Sequence, residues 1–191
     1  MRLSLPRADT PWSKKKRKRN IKKTDKNKVE ADEEALQKAK ADALRLLRFR
    51  PRSVKEMAQR LKQKGHRGFM IARVIDELIE KKSLDDRVFC RLWIGDRMHI
   101  KPAGRNLITR ELKAKGVDDE TICAAFGELN GSFNEYEIAM PLVRGKMAHM
   151  KGIEKEKAKK KLLDFLGRRG FSYNTIWKII KENYDYGPTE E

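Results

Sequence analysis

Few side chains in this sequence are spaced for chemistry. Asp85 and Asp86 are adjacent carboxylates that could share acid-base work, and Cys90, Cys123, His66, His99 and His149 are the candidate nucleophiles and metal ligands. None of them converges on a site. The cysteines form no Cys-x-x-Cys pair, and no histidine is spaced to share a metal with a cysteine or carboxylate. There is no Gly-x-x-x-x-Gly-Lys and no Gly-x-Gly-x-x-Gly to cradle a phosphate. Asp85 and Asp86 have a sufficient structural role at the positive end of a helix dipole. The cysteines read as reduced, half-buried thiols on helix faces and the histidines as surface groups. No enzymatic activity, cofactor or metal is expected.

The chemistry that the chain does offer is phosphate neutralisation. Lys and Arg number 46 against 28 Asp and Glu, for a net charge of +18. Such an excess points to a polyanion held through counterion release. Residues 1–28 hold 12 Lys and Arg against Asp9 and Asp25, and the remainder is still basic. The candidate contacts are Lys14, Lys15, Lys16, Arg17, Lys18 and Arg19 in the N-terminal run. Further along they are Arg45, Arg48, Arg52, Arg60 and Lys64, then Arg91, Arg97, Lys101, Arg105, Arg110, Lys113 and Lys115, then Arg168 and Arg169. A track of this kind suits the backbone phosphates of single- or double-stranded DNA without reading bases.

The elements that must position these cations repeat. Leu61–Gly65, Leu112–Gly116 and Leu166–Gly170 share a leucine, three residues and a glycine, with the glycines 51 and 54 residues apart. Six residues beyond each glycine stand Ile71, Ile122 and Ile176, and ten beyond stand Ile75, Phe126 and Ile180. A glycine between two apolar-periodic stretches marks a helix end, where φ turns positive at little cost. The expected fold is all-α: a tandem array of three three-helix repeats, elongated and curved, behind a disordered basic N-terminal arm. The expected divisions are residues 1–31 for the arm, 32–82, 83–131 and 132–184 for the repeats, and 185–191 for a loose acidic end.

Within the first repeat, a helix is expected from about Asp32 to before Pro51, burying Leu36, Ala39, Ala43, Leu46 and Leu47. Ser53 and Glu56 form a capping box for the second helix, and Ile71, Val74, Ile75, Leu78 and Ile79 mark the packed stripe of the third. In the second repeat the helices bury Phe89, Cys90, Trp93 and Ile94, then Leu107, Ile108 and Leu112 on a helix whose first turn holds Pro102, then Ile122, Ala125, Phe126 and Leu129. In the third, Asn134 and Glu137 cap a helix that Pro141 and Gly145 should kink or delay. Ala158, Leu162, Leu163 and Leu166 are expected inside the next helix, and Ile176, Trp177, Ile179 and Ile180 inside the last.

Helix, glycine, helix also fits a helix-turn-helix, with the third helix in a major groove. In the first two repeats that helix bears Glu77 and Glu80, or opens with Asp118, Asp119 and Glu120, which phosphates would repel. No apolar run approaches the roughly 18 residues a bilayer span needs, and the N-terminus lacks the apolar centre of a signal peptide. A cytoplasmic monomer is expected.

Three segments carry a more specific message. Leu84-Asp85-Asp86 followed by Phe89, the run Arg110-Glu111-Leu112-Lys113-Ala114-Lys115-Gly116-Val117, and Phe165-Leu166-Gly167-Arg168-Arg169-Gly170-Phe171-Ser172 stand in register with the repeat. In order and separation they resemble the RecX regulatory proteins of bacteria over about residues 35–184. The chain departs from that pattern in its long arm, in Pro141 and Gly145, and at Lys82-Ser83, where an aromatic commonly precedes the Leu-Asp-Asp. The resemblance implies a curved helical array that binds the RecA filament on DNA and modulates it, usually as an inhibitor. It implies a position in the filament groove that blocks strand exchange, ATP hydrolysis and repressor cleavage in the SOS response. The family transfers no catalytic residues. The reading from another class is a general, sequence-independent DNA-binding or architectural protein acting through the basic arm.

Overall fold

The computed structural model describes residues 11–129 and 131–185, with side chains over 28–129 and 131–184. Among these residues the helices are α1 (Pro11–Phe49), α2 (Val54–Gln63), α3 (Gly68–Glu80), α4 (Asp86–His99), α5 (Arg105–Ala114), α6 (Asp119–Gly127), α7 (Glu135–Ala148), α8 (Lys155–Arg168) and α9 (Tyr173–Ile180). A π-helical turn, Lys181–Asp185, continues α9, and no strand occurs among the described residues.

Local chemistry sets most of the helix boundaries. Ser53, Asp85, Asp118, Asn134 and Ser172 each accept a hydrogen bond from a backbone N–H in the first turn of the helix they precede. Gly65, Gly116 and Gly170 end α2, α5 and α8 at φ of 85°, 86° and 75°, the left-handed conformation that glycine adopts most cheaply. The capping box at Ser53 is half made. Ser53 accepts from the Glu56 N–H, but the Glu56 carboxylate turns to Arg50 and Lys115 instead of returning to the cap.

Three cores follow, one per group of three helices. Met57, Leu61, Val74 and Leu78 belong to the first, Ile94, Ile108, Leu112 and Ile122 to the second, and Val143, Leu162, Leu166 and Ile179 to the third. Leu61, Leu112 and Leu166 are all fully buried, as are or nearly are the isoleucines and phenylalanine six and ten residues past each glycine. The all-α tandem array expected from the repeat is thus the fold.

Several boundaries and faces differ from expectation. The α1 backbone is helical from Pro11, well before Asp32, while residues 1–10 of the expected arm lie outside the described residues. Residues 13–49 hold no Gly or Pro and many Lys, Arg and Ala, all strong helix formers. Packing begins where the apolar pattern begins: Ala35 and Leu36 are the first described side chains in the core. Pro102 precedes α5 by three residues, and α7 runs through Pro141 from Glu135, with no late start. Ile79, Leu163 and Trp177, placed inside by periodicity, are 45%, 40% and 47% exposed. Cys90 is buried, and its thiol is pushed up to about 11, first by burial and then by Asp86; Cys123 is exposed.

Candidate nucleic-acid and partner interface

Positioning of the cations starts at the contacts between successive groups of helices, which are built twice to one plan. At the first, Asp86, the opening residue of α4, accepts from the N–H of Val54, the opening residue of α2, at 2.9 Å. Ser53 donates through Oγ to the Lys115 carbonyl at 2.7 Å. At the second, Glu135, the opening residue of α7, accepts from the N–H of Arg105, the opening residue of α5, at 2.7 Å. There the N–H of Gly104 donates to the Arg169 carbonyl and that of Asn106 to the Gly170 carbonyl. In both, a carboxylate at the start of one group caps the second helix of the group before it, whose N-terminus abuts the Gly116 or Gly170 turn. Burial raises the pKa of Asp86, with the Val54 N–H opposing it. The Leu-Asp-Asp motif therefore works structurally: Leu84 fills the first core, Asp85 caps α4 and Asp86 links two groups.

Contacts across these joints and within the groups occupy many of the expected phosphate contacts. The residues just before the three glycines, Lys64, Lys115 and Arg169, lie at the negative ends of their helices. Lys64 pairs with Asp42 at 2.9 Å, Lys115 with Glu56 at 3.0 Å, and Arg169 donates to the Pro102 carbonyl at 3.0 Å. Burial tends to raise the Glu56 pKa, yet hydrogen bonds from Arg50 and Lys115 hold it down at about 2. Trp93 lies between two cations, with the Arg97 guanidinium 4.6 Å and the Lys115 ammonium 4.2 Å from its ring centroid. Its indole N–H and Arg97 Nε both donate to Glu111 Oε2. Arg97 and Lys115 are accordingly only 16% and 18% exposed.

The remaining candidates divide by exposure. Arg91 pairs with Glu128 at 2.8 Å, Lys113 with Asp119 at 2.7 Å and Arg45 with Asp42 at 3.8 Å, while Arg105 covers the Phe126 ring. Arg52 donates through Nε to the Leu46 carbonyl, and its enclosed Nη1 has no hydrogen-bond partner. Arg48, Arg60, Lys101, Arg110 and Arg168 are exposed and outside these ion pairs. The side chains of Lys14, Lys15, Lys16, Arg17, Lys18 and Arg19 lie outside those described. His66, expected at the surface, is mostly enclosed, with Nε2 2.9 Å from Asp42, because the turn after α2 folds against α1.

Sequence reasoning passed over the cations of α8. Lys155, Lys157, Lys160 and Lys161 are exposed, and the lysine run 159–161 was the signal available. It also treated the middle group as basic. Residues 83–131 hold eight Lys and Arg and eight Asp and Glu, whereas 32–82 hold 14 against eight and 132–184 hold 12 against six. The neutral middle exposes Val88 and Leu92 on α4 and Ile100 just past its end. Among the described residues, no helix is long and apolar enough to cross a membrane.

Comparison with known proteins agrees with this architecture. Models of the first, second and third three-helix domains of RecX match residues 39–78, 85–125 and 134–180. The chain is 34% identical to the regulatory protein RecX of Chlorobium limicola, over 78% of this chain and 92% of that one. It is 31% identical to that of Amycolatopsis mediterranei, over 81% and 89%. The crystal structure of RecX from Lactobacillus salivarius superposes with a TM-score of 0.69 at 23% identity, covering 78% of this chain and 96% of that one. Both the repeated three-helix plan and these matches lead to one assignment: the chain belongs to the RecX family of regulatory proteins.

Proposed function

We propose that this chain is a non-enzymatic, cytoplasmic, monomeric modulator of the RecA recombinase, acting as an inhibitor from the groove of the RecA–DNA filament. Membership of the RecX family carries this reading. The charge distribution supports it, because a protein filament on DNA offers two surfaces. The neutral middle group, with Val88, Leu92 and Ile100 exposed, suits a protein subunit. The basic outer groups and the arm suit phosphates on either side, through Arg48, Arg60, Arg168 and the α8 lysines. Occupying the groove limits strand exchange, ATP hydrolysis and cleavage of repressor substrates.

The test is cosedimentation with preformed RecA filaments, coupled to strand-exchange and ATPase assays. Cosedimentation with falling activity is expected. Unchanged activity at excess protein, with no protein in the pellet, would overturn the reading. Deleting residues 1–30 separates it from a DNA-binding protein acting through its arm: the modulator keeps filament binding, whereas the arm-driven binder loses all DNA affinity.

A further inference from the structure

The three third helices provide an internal comparison, because α3, α6 and α9 follow equivalent glycines. Three and seven residues past the glycine, the first has Gly68 and Ala72 and the second Asp119 and Cys123. The third has Tyr173 and Trp177. The fold therefore demands no ring at either position. These two rings are 70% and 47% exposed, with centroids 6.1 Å apart and planes 9° from parallel. The buried work of α9 is done by Ile176, Ile179 and Ile180, and the two rings stand at the margin of that stripe.

Charge separates the three helices in the same way. α3 carries Asp76, Glu77 and Glu80, and α6 opens with Asp119 and Glu120. No acidic residue lies in α9 itself, where the one cation, Lys178, reaches over the Tyr136 ring at 4.6 Å; Lys181 and Glu182 follow the helix. The acidity that excludes the first two third helices from phosphate contact is missing from the last. We propose that Tyr173 and Trp177 form a stacking platform for unpaired bases of a single strand, on a third helix with no carboxylate of its own to repel the strand's backbone. Stacked rings take any base by its π face without reading sequence, and the basic third group, with 12 Lys and Arg against six Asp and Glu, offsets phosphate repulsion. Duplex DNA keeps its bases in the stack and gains nothing from the rings.

This inference does not rest on RecA. It is tested on the full chain alone, with an oligothymidylate, an abasic oligonucleotide of equal length and a duplex as probes. Tyr173→Ala with Trp177→Ala leaves the core untouched, and circular dichroism checks its folding. The expected result is at least a tenfold loss of oligothymidylate affinity, with duplex and abasic affinities and the salt slope unchanged. In the unsubstituted chain, oligothymidylate should also quench tryptophan fluorescence saturably, and Trp177→Phe should abolish most of that quench. Equal losses on all three probes, or none, would overturn the platform. So would loss of filament cosedimentation with oligothymidylate affinity intact, which would assign the rings to a protein partner instead.

Discussion

At the scale of single residues, a carboxylate at the first position of a helix ordinarily serves its own dipole, yet Asp86 and Glu135 each serve a neighbouring group as well. Removing either leaves a helix-opening N–H without its acceptor. Asp86→Ala and Glu135→Ala should each cost about 1–2 kcal/mol in urea unfolding, comparable to loss of a helix cap. Glu56 gives a pH signature. Its folded pKa lies at about 2, below the ordinary 4.5, so its stabilisation is complete above about pH 4.5 and is lost as pH falls through 2. Glu56→Gln should flatten the pH dependence of stability across that window. A thermal-denaturation series from pH 2 to 6 measures it, and an unchanged slope would mean that the Arg50 and Lys115 contacts contribute nothing.

At the scale of elements, the three glycine turns are alike in φ and unlike in surroundings. A Cβ on Gly65 would meet open space, one on Gly116 would run into the flexible Lys55 side chain, and one on Gly170 would strike the Leu107 backbone. Alanine should therefore destabilise in that order, from about 1–2 kcal/mol at Gly65, where only φ is strained, to clearly more at Gly170. Leu61→Ala, Leu112→Ala and Leu166→Ala should each cost about 2–5 kcal/mol, since all three leave cavities in filled cores. The helices, their caps and these leucines were legible because spacing of 3.6 residues and glycine chemistry are written locally. The start of α1 was not, because propensity and apolar content gave opposite answers over residues 11–31. Nor was the exposure of Trp177: a wide aromatic at the margin of an apolar stripe sits inside or outside according to what the next element covers. The joints were hidden for a related reason. Asp86 reads as a cap from its own helix, and nothing in the chain says that Val54, 32 residues earlier, lies beside it.

At the scale of the whole molecule, charge is carried at the ends and withheld from the middle. DNA affinity should fall steeply with salt, and deleting residues 1–28, with 12 of the 46 Lys and Arg, should make the log–log slope markedly shallower without removing it. Fluorescence anisotropy on labelled DNA from 50 to 300 mM salt would show this, and an unchanged slope would place the contacts on the folded groups alone. The joints have a separate consequence. The amides of Val54, Gly104, Arg105 and Asn106 donate from one group of helices to the next, so their exchange with deuterium reports docking between groups, not folding within them. If the array flexes when it settles into a groove, these four hydrogens should change their exchange rates before any hydrogen in the cores does.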